Sequence, residues 1–156
     1  MDDTQWQETA LSMASSMYKV AAGILHTQAD AQDAVQQTYL RVWERRGRIQ
    51  PEKLKSYLMR TLMNECRNIQ RHRARVTPVE SLPLTVAPEN ESARPVIEAI
   101  ADLPEHLRLA LWLRYLEDFS EKEAAAALGI PTTTLRSRVH RARNILKKKT
   151  GWEVTL

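Results

Sequence analysis

Ile130-Pro131-Thr132-Thr133-Thr134-Leu135-Arg136-Ser137-Arg138-Val139-His140-Arg141-Ala142-Arg143-Asn144-Ile145-Leu146-Lys147-Lys148-Lys149 holds seven basic residues and no acid. Leu135, Val139, Ala142 and Leu146 fall at i, i+4, i+7 and i+11, one buried stripe of a helix. The arginines fall elsewhere on the wheel. A helix given to a core on one side and to unopposed positive charge on the other is built to press on a polyanion. Just upstream, Ser120-Glu121-Lys122-Glu123 has capping-box spacing and opens the small apolar run Ala124 to Leu128. Gly129 supplies a turn and Pro131 restarts the chain. Helix, short glycine turn, and helix with Thr and Arg at its start is the helix-turn-helix pattern.

Working outward, Val96 to Leu103 reads as a short helix, and Pro104 opens another through Leu107, Ala110, Leu111 and Tyr115. Before these, Thr77 to Pro95 carries four prolines (Pro78, Pro83, Pro88, Pro95) and the acids Glu80, Glu89 and Glu91. Prolines at that density forbid a continuous helix, and no apolar periodicity survives, so residues 77–95 read as a flexible linker. A first module then spans 1–76 and a second 96–156.

The charge follows this division. Residues 1–40 carry one Lys and five acids, 41–75 eleven basic residues and three acids, 76–105 one Arg and six acids, and 106–156 ten basic residues and five acids. Two basic blocks across an acidic one imply two polyanion-binding modules joined by a spacer. Strong helix formers dominate, Gly is scarce at four residues and aromatics make up 6%, so the fold class is all-α. One cysteine, Cys66, excludes an internal disulfide and a cysteine-based zinc finger. The start, Met1-Asp2-Asp3, is acidic and unlike a signal peptide, and no stretch approaches a membrane span.

In the first module, Thr4 or Asp3 caps a helix running toward Leu25. A second helix starts at Asp30-Ala31-Gln32-Asp33, with apolar positions Val35, Tyr39, Val42 and Trp43, and ends at Gly47 with Arg45 and Arg46 in its last turn. Pro51 begins a third, whose buried stripe is Leu54, Leu58, Leu62, Cys66 and Ile69. Cys66 is thus a small core residue. Opposite that stripe, Lys53, Tyr57, Arg60, Asn64, Arg67, Asn68 and Arg71 recur at spacings of three and four. An aromatic ring, amides and guanidiniums on one line suit stacking on bases and clamping phosphates. Arg60, Arg67, Arg71, Arg73 and Arg75 are read as phosphate holders. Tyr57 is placed either to stack or simply to pack.

These residues resemble the extracytoplasmic-function (group IV) sigma factors of bacterial RNA polymerase, over nearly the whole chain. Asp30 to Trp43 resembles the family's polymerase-docking helix, Leu54 to Asn64 its promoter-melting and −10-reading segment, Leu103 to Tyr115 and Ser120 to Leu128 the first helices of its domain four, and Thr134 to Arg143 its −35 recognition helix. The four motifs stand in order and at the family's spacing. The resemblance implies two small helical domains, region 2 at 1–76 and region 4 at 96–156. It implies transcription initiation with core RNA polymerase, through its β′ coiled coil and β flap, on promoter DNA. It also implies an anti-sigma protein, often membrane-anchored, a cytoplasmic, nucleoid-associated place of work, and no catalytic residue, cofactor, metal or small-molecule substrate.

By resemblance, Asp33, Gln36, Gln37, Leu40 and Arg41 grip the polymerase. The family usually has Glu where Gln37 stands, which weakens an ion pair and keeps a hydrogen-bonding group. Asn64 matches the place near which a flipped base is read; a side-chain amide carries both donors and acceptors. The loop Gly47 to Lys53 would shape that pocket. The −35 face would be Thr132, Thr133, Thr134, Arg136, Ser137, Arg138, His140 and Arg141, with Arg able to bridge guanine and the hydroxyls suited to phosphate. Thr133 stands where the family often has Gly, adding bulk near the groove. His140 reads as a phosphate or solvent neighbour, not a metal ligand. Two rivals differ in class. A helix-turn-helix regulator that does not bind core polymerase leaves the docking-helix resemblance and the Tyr57–Asn64 face unexplained. An enzyme lacks any Ser-His-Asp set, phosphate loop or metal-ligand spacing.

Overall fold

The computed structural model describes residues 1–76 and 94–151. Among them are seven α-helices and no strand: α1 Asp3–Leu25, α2 Gln28–Arg45, α3 Leu54–Val76, α4 Arg94–Ala101, α5 Glu105–Leu111, α6 Glu121–Leu128 and α7 Thr132–Thr150. The all-α expectation holds. The chain divides into two compact units, one built on α1–α3 and the other on α4–α7. The linker expected at 77–95 lies outside the described residues except for Arg94 and Pro95, which begin α4 two residues before the expected start. No helix among the described residues is long and apolar enough to cross a membrane.

In the first unit each of α1, α2 and α3 packs on the other two. α1 starts earlier than either expected cap, Thr4 or Asp3, allows: Asp2 caps it, and Asp2 and Gln5 complete a reciprocal capping box. α2 starts at Gln28 because the Thr27 hydroxyl accepts the Asp30 amide at 3.3 Å. The buried stripe of α2 is Ala31, Ala34, Thr38 and Val42, one step round the helix from the one expected. Val35, Tyr39 and Trp43 are half-buried at its flank. Small residues let α2 sit close between α1 and α3, and the large side chains spread sideways. There Tyr39 donates to the Ala10 carbonyl at 2.6 Å, and the Trp6 ring lies 5.3 Å from Trp43 and 6.5 Å from Tyr39. Burial pushes the Tyr39 phenol above its usual pKa, which keeps it a donor.

Gly47 does not cap α2. It lies in a 3₁₀ turn, Arg46–Arg48, and has no left-handed backbone. Pro51 opens a second such turn, Pro51–Lys53, so α3 proper begins at Leu54. Leu54, Leu58, Leu62 and Cys66 are fully buried as expected, and Ile69 is only half-buried.

The corner between α1 and α2 is tied down from α3. Arg73 donates to the Leu25 carbonyl at 3.3 Å and to the Thr27 hydroxyl at 3.2 Å, and pairs with Asp30. Gln70 donates to the Ile24 carbonyl at 3.3 Å. These two side chains satisfy carbonyls that a helix end leaves open, where His26 turns left-handed at φ 63°. Arg73 is therefore an internal clamp, which corrects its reading as a phosphate holder.

In the second unit α7 is the hub, with α4, α5 and α6 packed on it. Its buried residues are Leu135, Val139, Ala142 and Leu146, the stripe read from the sequence. α5 runs into a π-helical turn, Trp112–Leu116. Beyond it Phe119 is buried, its amide on the Leu113 carbonyl at 2.8 Å and its carbonyl on Arg114 at 2.6 Å. That turn aims the chain into α6, which Ser120 and Glu123 cap reciprocally at 3.0 and 2.9 Å. Gly129 is left-handed at φ 68°, and the Ile130 amide reaches back to the Ala125 carbonyl at 3.0 Å, closing α6 as a Gly-capped helix.

Removing the clamp should be felt only in the first unit. Arg73→Ala is expected to destabilise it by about 1–2 kcal/mol, since the pair is partly exposed but three acceptors lose their donor. Denaturant unfolding checks this; an unchanged midpoint would show the corner holds without Arg73.

Candidate nucleic-acid interface

The exposed line on α3 forms as a helix of this periodicity requires. Lys53, at the preceding turn, and Arg60, Asn64, Arg67, Asn68 and Arg71 are all exposed. Tyr57 is half-buried, and its hydroxyl accepts from Arg45 at 3.4 Å. That hydrogen bond holds the Arg45 pKa above its ordinary value. The ring is partly packed and lines the groove between α2 and α3, so both readings of Tyr57 stand.

Between α2 and α3 lies an open groove of about 390 Å³, lined by Arg41, Arg45, Tyr57, Arg60, Asn64 and Asn68 among others. It brings Arg41, read as a polymerase contact, beside Asn64, read as a strand contact. The reason is Glu65, which is buried among the apolar residues of α3 and pairs with Arg41 at 2.5 Å. The sequence reading missed this pair. Its signal was present: a lone acid on a basic helix, one position from the buried stripe.

On α2, Asp33, Gln36, Gln37, Leu40 and Arg41 are all exposed and share one face at i, i+3, i+4, i+7 and i+8. Leu40 is 58% exposed, an apolar side chain in a polar surround. At the helix end, the Arg46 guanidinium lies 3.4 Å over the Trp43 ring and donates to the Trp43 carbonyl at 2.8 Å. Arg46 is thus turned back on its own helix.

The outer face of α7 is narrower than expected. Thr133, Arg136, Ser137, His140 and Arg141 are exposed, whereas Thr132, Thr134 and Arg138 are half-buried. Those three stand nearer the buried stripe, and α7 packs on three helices, so its flanks are partly covered. The sequence reading missed Asn144, which is exposed one turn beyond His140 with the two side chains 3.2 Å apart. It also missed Glu121 on α6, whose carboxylate takes the Arg136 Nε at 2.7 Å. Arg114, Glu121, Arg136, His140 and Arg143 line a second groove of about 250 Å³.

Two helical units with basic outer faces, one of them carrying a helix-turn-helix, define a DNA-binding protein. Residues 11–76 match the family model for sigma-70 region 2, and residues 93–146 match that for sigma-70, region 4. The chain is 30% identical over 155 residues to the ECF RNA polymerase sigma factor SigE of Mycolicibacterium smegmatis, covering 91% of this chain but 60% of that relative's length. It is 28% identical over 169 residues to the ECF RNA polymerase sigma-E factor of Haemophilus influenzae, covering 93% and 89%. Its fold is similar to that of the sigma factor RpoE from Bartonella quintana, solved in complex with the anti-sigma factor NepR. The TM-score is 0.76, with 26% identity over 94% of this chain and 96% of that one. The chain belongs to the extracytoplasmic-function sigma factors of the sigma-70 family.

The Arg41–Glu65 pair is asymmetric, with the Glu65 side chain 10% exposed and that of Arg41 57%. Arg41→Ala should therefore destabilise the first unit by about 1–3 kcal/mol, leaving a nearly buried carboxylate without its cation, while Glu65→Gln should cost under about 1 kcal/mol. Thermal unfolding of the two variants gives the order; the reverse order would remove the pair's structural role.

Proposed function

We propose that this protein joins core RNA polymerase as an alternative sigma factor and directs it to specific promoters. Residues 1–76 act as region 2, docking on the polymerase and capturing the opened −10 strand. Residues 77–95 connect, and residues 96–156 act as region 4 on the −35 duplex. The observation that carries this reading is the α2–α3 groove, where a half-buried tyrosine, two exposed amides and guanidiniums meet beside the α2 face.

The division of labour follows from side-chain chemistry. Asp33, Gln36, Gln37, Leu40 and Arg41 suit a protein partner, because the face mixes signs around an exposed Leu. Asn64 and Asn68 can read the edge of an unstacked base, whereas Arg60, Arg67 and Arg71 suit phosphates, which position without reading. On α7, Arg136 and Arg141 reach the major groove with Ser137 and Thr133 between them. The protein works on the nucleoid in the cytoplasm, and an anti-sigma protein occludes these faces. Support for that partner is the RpoE relative, solved with NepR.

Asn64→Ala should lower promoter opening about tenfold or more while leaving core-polymerase affinity near that of the wild type. Permanganate footprinting of the opened strand and a polymerase pull-down read the two separately; equal losses in both would move Asn64 out of the strand-reading role. A chain that failed to bind core polymerase at all would be a regulator of another kind.

A further inference from the structure

We infer that Arg45 and Arg60 form a two-walled clamp on one phosphodiester of the opened strand, Arg45 reaching from α2 and Arg60 from α3 across the groove that Asn64 and Asn68 also line. This rests on the region-2 reading above and adds a wall to it, since the phosphate holders named so far all stand on α3. Arg45 ends α2, and its Nη1 donates to the Tyr57 hydroxyl at 3.4 Å. Tyr57 and Arg60 stand three apart on α3 and so share a face. The Tyr57 contact therefore sets the Arg45 guanidinium within about one helical turn of Arg60.

Charge sorts the cations around this groove. Glu65 is the acid among its lining residues, and it is spent on Arg41 at 2.5 Å. Arg46 is turned back on Trp43. Arg45 is exposed and is held by a neutral hydroxyl, which leaves its charge unanswered. Glu44 precedes it on α2, but residues i and i+1 do not face each other around a helix. Arg60 is exposed on the other wall. These two guanidiniums therefore bring net positive charge to the groove, one from each side.

A phosphate does not have to break the Tyr57 contact to be held. A guanidinium fork has N–H donors for several acceptors, and Arg45 spends one nitrogen on Tyr57. A charge-assisted bond to phosphate is about twice as strong as one to a neutral hydroxyl. The hydroxyl acts before the strand arrives, by narrowing the swing of a long side chain. Tyr57 is thus a positioning residue, and the phosphate adds to its contact. Two cations facing one another suit an anion rather than a base edge. The amides of Asn64 and Asn68, with both donors and acceptors, stand in the same groove for the base. The clamp fixes the strand and reads no sequence.

The test uses the full chain with core polymerase. Wild-type holoenzyme first enriches duplexes from a random-sequence pool, and an enriched duplex is remade with a mismatched, pre-opened stretch. Affinity for this bubble is measured over a range of salt for the wild type, R45A, R60A, Y57F and the Y57F/R45A double variant. R45A should bind about tenfold more weakly, with a salt slope shallower by about 0.7. The loss should be the same whichever base occupies each opened position, with core-polymerase affinity and unfolding midpoint unchanged. Y57F, which keeps the ring, should lose about two- to threefold, and nothing further in the R45A background. A scan of neutral methylphosphonate linkages along the opened strand reads the contact itself. One linkage should weaken the wild type about tenfold and both R45A and R60A hardly at all. Full affinity in R45A, a loss that depends on base identity, or no linkage at which both variants turn insensitive overturns the clamp. A Y57F loss undiminished in R45A takes Tyr57 out of it. A wild-type holoenzyme that enriches no sequence would instead overturn the sigma reading itself.

Discussion

Both units depend on helices whose buried side chains are small. α2 buries Ala31, Ala34 and Thr38, and α6 buries Ala124, Ala125 and Ala127. A methyl group or a hydroxyl at a crossing is the side chain that lets a neighbouring helix pack close. Thr38 fits this setting by turning its hydroxyl to the Ala34 carbonyl at 2.7 Å, so it buries no open donor. Close helices leave shallow seams, and long side chains on either side then reach each other. The pairs Arg41–Glu65, Arg45–Tyr57 and Arg136–Glu121 are three such bridges across seams.

A formal net charge of +4 therefore says little about which cations meet a polyanion. Arg73 is held inside the α1–α2 corner, Arg46 lies on Trp43, and Arg114 closes the turn at Phe119. Arg60, Arg67 and Arg71 stay on the outer face of α3. The fold sorts guanidiniums into those that close helix ends or turns and those offered to solvent. At these three places the sorting is done by nearby open carbonyls, each of which accepts from an arginine.

Much of this was legible in the sequence, and the misses share a cause. The buried stripe of α7 was read correctly because its Leu, Val, Ala and Leu are large enough to stand out against seven cations. The Ser120–Glu123 box was legible because it is local. The stripe of α2 was misplaced by one step because Val35, Tyr39 and Trp43 look more apolar than Ala31, Ala34 and Thr38. Hydrophobicity ranks residues by size, whereas a helix gripped from two sides is selected for smallness. Arg73, Glu65 and Glu121 were misread or missed for a different reason. Each acts on a residue 15 to 48 positions away, and no periodicity within one helix encodes that distance. The faces on α2 and α3 were legible as faces. That Arg41 and Asn64 line one groove was not, because it needs the packing of two helices.

The Trp6–Trp43 contact gives the molecule a built-in optical label. Two indoles 5.3 Å apart and tilted by 59° couple their electronic transitions, and the coupled signal depends on α1 staying against α2. Arg46, lying over Trp43, places a cation on one of the two rings at the end of α2, the helix that carries Leu40 and Arg41. Near-ultraviolet circular dichroism thus senses strain at the α1–α2 seam without any attached dye.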